Sequence, residues 1–158
     1  MSPLRPDLVA CWLYRVRAGE VEILLIRRAA TGSYPGLWQC VTGRLEAGER
    51  IAGGVLREVL EETGLGAADH EGFFETEIVN WFHEDTSDGL WSEAVFAAQV
   101  RAAATITISD EHDDHRWVTP AEAHRLVPWQ AYHRAIEQVE WLVANPEKAP
   151  LYRLPDPA

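Results

Sequence analysis

Residues 43–65 read GRLEAGERIAGGVLREVLEETGL, and this stretch decides how the rest of the chain is interpreted. We call residues 43–65 the box. It fixes glycines, glutamates and one arginine at regular spacings, namely Gly43, Glu49, Arg57, Glu58, Glu61, Glu62 and Gly64, with aliphatic Val59 and Leu65. At about 6% usage for each residue type, seven such positions would match by chance on the order of once in 10⁸ windows. The pattern therefore requires a chemical explanation.

The second half of the box predicts an α-helix over residues 50–63. With about 3.6 residues per turn, Glu58, Glu61 and Glu62 lie at i, i+3 and i+4 and share one face. Apolar positions fall mostly on the other side and are predicted to face a core: Ala52, Val55, Leu56, Val59 and Leu60. Gly64 is predicted to end the helix as a C′ glycine.

Three glutamates on one face predict a metal site. Like charges at these spacings repel by about 0.2–0.5 kcal/mol per pair, and a hard divalent cation removes that penalty. Mg²⁺ takes oxygen ligands from carboxylates and substrate phosphates, so we predict Mg²⁺, with Mn²⁺ as an alternative. A solvated acidic face is the competing interpretation, which the other box positions disfavour. We expect Arg57 to pair with Glu49 or another box carboxylate, and Gly54 to leave room for a ligand.

The composition limits the class of protein. The chain has 158 residues, 47% of them hydrophobic and 25% charged, as in a soluble globular domain. A net charge of −11 without any Lys/Arg-rich tract argues against duplex nucleic acid as a partner. No signal-peptide pattern or long apolar run is present, so we expect a cytoplasmic protein with no membrane partner. Cys11 and Cys40 are predicted to be reduced and buried.

The elements around the box predict one domain with a mixed sheet. Strands are predicted at residues 8–16, 21–28, 37–41, 73–82 and 92–100. Thr119 as N-cap and Pro120 at the first position predict a helix, and residues 128–145 predict another. We interpret residues 1–158 as a single domain in which residues 146–158 form a loose tail. The order of strands and helices indicates an α/β or α+β fold with helices around the sheet.

The box and its flanks resemble the Nudix hydrolases. Every fixed position of that family's motif is present, and the resemblance extends over most of the chain. It implies an α/β/α sandwich with a central mixed β-sheet, and Mg²⁺-dependent hydrolysis of a nucleoside diphosphate linked to another group. The flanking residues 38–43 (WQCVTG), Glu111-His112 with Trp117, and Trp129 with residues 134–138 resemble the bacterial dihydroneopterin triphosphate pyrophosphatases, also described as dATP pyrophosphohydrolases.

This resemblance assigns roles to the box residues. It implies that Glu58, Glu61 and Glu62 are metal ligands, that one of them is the general base, and that the backbone carbonyl of Thr42 adds a ligand. We assign the base to Glu58 and place Arg57 beside it in the catalytic set. The remaining box positions are assigned structural roles: Gly43, Glu49 and Gly64.

A further ligand is expected from outside the box. By resemblance Glu111 matches the position of an additional metal-binding carboxylate. Its acidic neighbours are alternatives to it: Asp110, Asp113 and Asp114. A solvated acidic loop is the competing interpretation. The histidines His83, His112 and His115 lack ligand spacing, so we treat them as non-ligands, and a role of His112 near the phosphates stays open.

Substrate contacts are expected from arginines and tryptophans. Arg27 and Arg44 are assigned to phosphate groups, because guanidinium groups bind phosphate in a bidentate manner. Arg28 is the alternative to Arg27, since neighbours on a strand point in opposite directions. Trp38 and Trp81 are assigned to stacking on a base or pterin ring, with Trp91 as a further candidate. Ordinary packing is the competing interpretation for each tryptophan.

The leading functional hypothesis is a pyrophosphohydrolase of a small phosphoanhydride substrate. Dihydroneopterin triphosphate and dATP or another nucleoside triphosphate head the list, with pyrophosphate as the product. A dinucleoside polyphosphate hydrolase is the first alternative. A non-catalytic nucleotide-binding or regulatory domain is the second, although such domains usually lose box glutamates and this chain has lost none. The oligomeric state stays open, with a homodimer among the options.

Overall fold

The structure, a computed structural model, describes residues 2–155. Met1 and the last three residues of the predicted tail, 156–158, lie outside the described part. The strands are β1 (Leu8–Arg17), β2 (Glu20–Arg28), β3 (Trp38–Gln39), β4 (Val41–Arg44), β5 (His70–Glu84), β6 (Gly89–Val100) and β7 (His112–Val118). The helices are α1 (Ile51–Thr63), α2 (Pro120–Leu126) and α3 (Gln130–Ala144).

Strand β1 organises a mixed sheet. It pairs in parallel with β6, and Leu8 lies opposite Glu93. Its other edge is shared, because β4 pairs with its first half and β2 with its second half, both antiparallel. Strands β3 and β7 pair with β2, and β5 pairs with β6, also antiparallel. The predicted mixed sheet is confirmed.

Helices cover both faces of this sheet. On one face, α1 buries Val55 and Val59 against alternate residues of β1 and β2. On the other, α2 packs Ala123, and α3 packs Ile136 and Val139, against a second core layer. The α/β/α sandwich is therefore confirmed. Leu60, predicted to face the core, is 53% exposed, because the apolar stripe of α1 is narrower than the sequence suggests.

Local signals place the ends of two helices correctly. Gly64 has φ 74° and donates its N–H to Leu60 O, which ends α1 as predicted. Thr119 accepts a hydrogen bond from the Glu122 N–H at 3.2 Å and caps α2. Residues 37–41, predicted as one strand, form two that are separated at Cys40. The reason is tertiary, since β3 pairs with β2 whereas β4 pairs with β1.

The described part of the predicted tail, residues 146–155, lies against the edge of the sheet. A 3-10 turn at Ala149–Leu151 leads into Arg153, which bridges to Phe74, and Leu154 donates its N–H to Phe73 O at 2.8 Å. These contacts hold the segment on β5. Among residues 2–155, no helix combines the length and apolar character that crossing a membrane requires.

Candidate active site

The box glutamates line a cavity of about 850 Å³. The cavity lies where β4 meets the carboxyl half of α1, and four other parts of the chain complete its walls: the start of β1, the end of β2 with the loop after it, the β5–β6 hairpin and residues 110–112. These lining residues are Leu8, Arg28, residues 31–33, Thr42, Gly43, Arg44, Glu58, Glu61, Glu62, Phe82, Glu84, Trp91 and residues 110–112. The structure thus brings together all five predicted metal-site residues, four of them glutamates.

Arg57 connects the carboxylates of the box. Its Nε and Nη2 donate to the two oxygens of Glu49 at 2.8 and 3.1 Å. Its Nη1 donates to Glu58 at 2.8 Å and to Glu61 at 3.2 Å. A further hydrogen bond from Nη2 reaches the carbonyl of Arg44 at 3.0 Å. The predicted pairing with Glu49 is present, and Arg57 also fixes two carboxylates that line the cavity.

Two glycines of the box allow close contact. A Cβ at Gly43 would lie 2.0 Å from the Glu58 carboxyl carbon, so only glycine lets this carboxylate rest on β4. A Cβ at Gly54 would lie 2.7 Å from Leu45 and 2.8 Å from Glu49. The space at Gly54 is therefore filled by protein, and our expectation that it accommodates a ligand is wrong.

Burial sets the charge state of the site before any cation binds. Glu62 is 4% exposed, and burial, with the neighbouring Glu58 and Glu111 carboxylates, raises its pKa to about 9. Burial likewise raises the pKa of Glu58, against the opposing effect of Arg57. Such shifts mark groups whose ionised form needs a cation.

Backbone hydrogen bonds hold the segment that carries Glu111 against the end of β2 and against α1. The Ala29 N–H donates to Glu111 O at 2.9 Å, and the Ser109 N–H donates to Glu62 O at 3.3 Å. One potential metal-ligand atom each from Glu62, Glu111 and His112, a carboxylate oxygen or a ring nitrogen, lies within 4.8 Å of the other two. The loop that precedes β7 therefore carries a carboxylate to the box, as the resemblance implied.

The alternatives to Glu111 are distributed differently. Asp110 lines the cavity, whereas Asp113 accepts a hydrogen bond from Arg27 at 2.7 Å on the surface. Asp114 accepts from the His115 N–H at 2.8 Å. Glu111 and Asp110 are consequently the two carboxylates of this loop that face the site.

The donor set fits a divalent cation. Glu62 Oε2 is buried and has no hydrogen-bond partner, which is costly unless a cation or a donor satisfies it. Thr42 lines the same cavity, and its backbone hydrogen-bonds the Glu62 carboxylate. Its side chain turns away and donates to Glu93 at 3.2 Å. Clustered carboxylate oxygens are the ligands that Mg²⁺ and Mn²⁺ prefer.

Three residues assigned to the substrate are not among those that line the cavity. Arg27 donates to Asp113, and its guanidinium lies 5.6 Å from the ring centroid of Trp38. Trp38 is 8% exposed and belongs to the core layer under α2 and α3. Trp81 is exposed, but it precedes Phe82 on β5, so the two side chains point to opposite faces. Strand alternation thus removes Arg27 and Trp81 from the cavity, whereas Trp38 is buried in the core.

One arginine and two aromatic residues line the cavity instead: Arg28, Phe82 and Trp91. Arg28 lines it and donates from Nη2 to Ser33 Oγ at 2.8 Å, which ties β2 to the loop over residues 31–33. Phe82 and Trp91 are opposite one another on β5 and β6 and form an aromatic wall. The guanidinium of Arg44 lies 4.7 Å from the Trp91 ring centroid. The signal for this wall is the cross-strand register, which a single sequence does not contain.

Residues 4–142 match the family model for the NUDIX domain. A nucleoside triphosphatase NudI of Klebsiella pneumoniae is 32% identical over 127 residues, which cover 73% of this chain and 83% of that protein. An octanoyltransferase of Myxococcus xanthus is 32% identical over 140 residues, which cover 86% of this chain and 36% of that protein. The chain therefore spans only about a third of the length of this second relative.

Two solved structures share the fold. A C. elegans Ap4A hydrolase superposes with a TM-score of 0.74 at 19% identity, covering 89% of this chain and 99% of that one. The E. coli dihydroneopterin triphosphate pyrophosphohydrolase superposes with a TM-score of 0.71 at 22% identity, covering 85% and 94%. At these identities the similarity extends to the architecture alone.

Proposed function

Because the chain belongs to the Nudix hydrolases, enzymes that act on phosphoanhydride bonds, we propose that it cleaves a nucleoside triphosphate-like substrate to the monophosphate and pyrophosphate with Mg²⁺. The observation that carries this proposal is the convergence of Glu58, Glu61, Glu62 and Glu111 in one cavity. Dihydroneopterin triphosphate and dATP are the first substrates to test, and Mn²⁺ is the alternative cation.

Glu61, Glu62 and Glu111 would hold the cation, with the Thr42 carbonyl as a further ligand. The cation would neutralise phosphate oxygens and polarise the attacking water. We assign Glu58 as the general base that accepts the proton of that water, since its carboxylate lies on Gly43 at the floor of the cavity. Water attack on phosphorus would break the phosphoanhydride bond between the α- and β-phosphates, and the departing group, pyrophosphate or the monophosphate, would carry the electron pair of that bond away.

Two arginines support the phosphate end of the substrate. Arg28 lines the cavity next to the loop over residues 31–33, and Arg44 lines it beside Trp91. Guanidinium groups bind phosphate oxygens with paired hydrogen bonds. We therefore replace Arg27 by Arg28 as a proposed phosphate contact and retain Arg44.

The aromatic wall supports a ring-bearing substrate. Phe82 is 39% exposed and Trp91 also reaches the cavity, so both offer a ring face to a base or a pterin. Trp91 is oriented by a hydrogen bond from its Nε1 to Ser87 Oγ at 3.0 Å. This wall supports hydrolysis of a nucleotide-like molecule over hydrolysis of a simple polyphosphate.

A panel of phosphoanhydrides tests the proposal. Purified protein with Mg²⁺ is incubated with dATP, the other nucleoside triphosphates, dihydroneopterin triphosphate and diadenosine tetraphosphate, and the products are separated by ion-exchange chromatography. We expect pyrophosphate and a monophosphate from a triphosphate. Turnover of none of these compounds would contradict the proposal and favour a non-catalytic nucleotide-binding domain.

The same panel separates the enzymatic alternative. The fold is shared with an Ap4A hydrolase, and a dinucleoside polyphosphate also carries rings that suit the aromatic wall. Such a hydrolase would release only nucleotides from diadenosine tetraphosphate and leave the triphosphates intact. The identity of the released products therefore decides between the two substrate classes.

A further inference from the structure

His112 has a buried position that the proposed reaction does not use. The side chain is 6% exposed and lines the cavity beside Glu111. Its Nδ1 and the Oε2 of Glu62 are both buried without a hydrogen-bond partner in the described structure. A ring nitrogen of His112 and a carboxylate oxygen of Glu62 lie within 4.8 Å of one another. An unsatisfied buried polar atom costs about 1–3 kcal/mol, so two such atoms on neighbouring side chains call for an explanation.

Hydrogen bonds from Arg28 through Gln39 determine which ring nitrogen carries the proton. A guanidinium group can only donate, and Arg28 Nη1 donates to Gln39 Oε1 at 3.4 Å. The amide nitrogen of Gln39 therefore faces His112 Nε2, at 3.3 Å, and donates to it. A ring nitrogen that accepts a hydrogen bond carries no proton, so the ring is neutral. With Nε2 as the acceptor, the single ring proton lies on Nδ1.

This tautomer disfavours direct metal binding by His112. A histidine ligand offers a lone pair from a neutral ring nitrogen. Here the lone pair of Nε2 accepts from Gln39, and Nδ1 carries the proton. The ring atom that is buried without a partner is therefore an N–H donor rather than a ligand atom.

We propose that His112 is a positioning residue that donates its Nδ1–H to Glu62 Oε2 and orients this carboxylate for the cation. Arg28 and Gln39 fix the tautomer that makes the donation possible. The inference rests on the proposed metal site, in which Glu62 is a ligand. Carboxylates that bind metals are commonly held by such hydrogen bonds, and loss of the donor weakens the site.

Nitrogen-15 NMR of the metal-free protein tests the tautomer directly. Two-bond ¹H–¹⁵N correlations of the imidazole ring distinguish Nδ1–H from Nε2–H. We expect the Nδ1–H form for His112 in the wild type and loss of this preference in Gln39→Leu. An Nε2–H tautomer in the wild type would overturn the proposal, whether or not the variant folds. Gln99→Leu, on β6 and away from the cavity, is the control and should leave the signal unchanged.

A substitution series tests the effect on metal binding without substrate. In His112→Asn the side-chain amide nitrogen can take the position of Nδ1, whereas His112→Leu has no donor. We expect Mn²⁺ affinity, followed by EPR titration, to fall about 10- to 100-fold in His112→Leu and to be largely restored in His112→Asn. His115→Asn on the same strand is the matched control and should bind as the wild type does.

The outcomes separate this inference from the proposed function. Equal Mn²⁺ affinity in wild type and His112→Leu would overturn the role of His112 alone. A nitrogen coupling of direct His112 coordination in pulsed EPR of the Mn²⁺-loaded protein would do the same. If the wild type binds neither Mn²⁺ nor Mg²⁺, both the proposed function and this inference fail.

Discussion

Arg57 donates two hydrogen bonds to the carboxylate of Glu49, from Nε at 2.8 Å and from Nη2 at 3.1 Å. The same guanidinium holds Glu58 and Glu61, so one planar group sets the positions of three carboxylates. A lysine keeps the charge but offers a single point of attachment. The relation between Arg57 and Glu49 is thus a matter of geometry as much as of charge.

Arg57→Lys is expected to lower kcat/KM by about 10- to 100-fold, because the carboxylates lose their common support. Steady-state hydrolysis of the substrate found in the panel measures the effect. Arg50→Lys, at an exposed position just before the same helix, is the matched control. Equal activity of Arg57→Lys and wild type would show that the fork geometry is dispensable.

Gly43→Ala is expected to lower kcat, whereas Gly53→Ala is expected to stabilise the folded protein. A Cβ at Gly43 would lie 2.0 Å from the Glu58 carboxyl carbon and must displace it, so kcat should fall at least about tenfold. A Cβ at Gly53 meets nothing nearer than 3.9 Å, and alanine in a helix interior adds about 0.5–1 kcal/mol of stability. Thermal unfolding and kcat of both variants check this pair, and an active Gly43→Ala would contradict the packing argument.

Glu61→Gln and Glu62→Gln should each lower kcat by orders of magnitude while the protein stays folded. Each amide removes a negative charge that the cation requires. Glu137→Gln on the exposed side of α3 is the control for a surface substitution. Circular dichroism verifies the fold, and near-normal turnover in both box variants would exclude these residues from the metal site.

Glu62 should make the metal-free protein lose stability as pH rises. Its pKa is about 9 when folded and near its ordinary value of 4.5 when unfolded, so between these values the folded state holds a proton that the unfolded state has released. The free energy of unfolding contributed by Glu62 therefore falls across this window. Each pKa unit corresponds to about 1.4 kcal/mol.

We expect the stability of metal-free Glu62→Gln relative to wild type to increase by more than about 1.4 kcal/mol from pH 5 to pH 8. Urea denaturation at both pH values measures this difference. Saturating Mg²⁺ should reverse the trend for the wild type, because the cation favours the carboxylate. A difference that stays constant with pH would argue against the buried protonated state.

Trp91→Leu should raise KM at least about tenfold, whereas Trp81→Leu should leave it unchanged. Trp91 lines the cavity and Trp81 points to the opposite face of the same hairpin. Loss of one stacking partner removes about 1–3 kcal/mol per base in comparable sites. The opposite ranking of KM values would restore the assignment made from sequence.

The box could be interpreted from sequence because its geometry is local. Three glutamates on one helix face and a terminal glycine need only the helical repeat, so Glu58, Glu61, Glu62 and Gly64 were placed correctly. Glu111 lies far along the chain, and only the family resemblance pointed to it.

The aromatic wall and the arginine beside the phosphates could not be predicted from the sequence, because their positions depend on long-range strand pairing. The sequence leaves Arg27 and Arg28, and Trp81 and Trp91, as alternatives, since the strand register sets which side chain of each strand faces the cavity. Trp38 was misplaced because residues 37–41 divide between two partner strands. In each case the missing information was which strand lies alongside, and not which residue types are present.

The parallel pairing of β1 with β6 also has a consequence for how the protein is made. Strand β1 holds β4, and hence the floor of the cavity, but its parallel partner is synthesised only after more than half of the chain has emerged. Until then, the apolar edge of β1 is open to wrong partners, and such long-range pairing is slow. Cotranslational folding would therefore complete the active site late. Substitutions in β6 are expected to reduce the yield of folded enzyme before they change its chemistry.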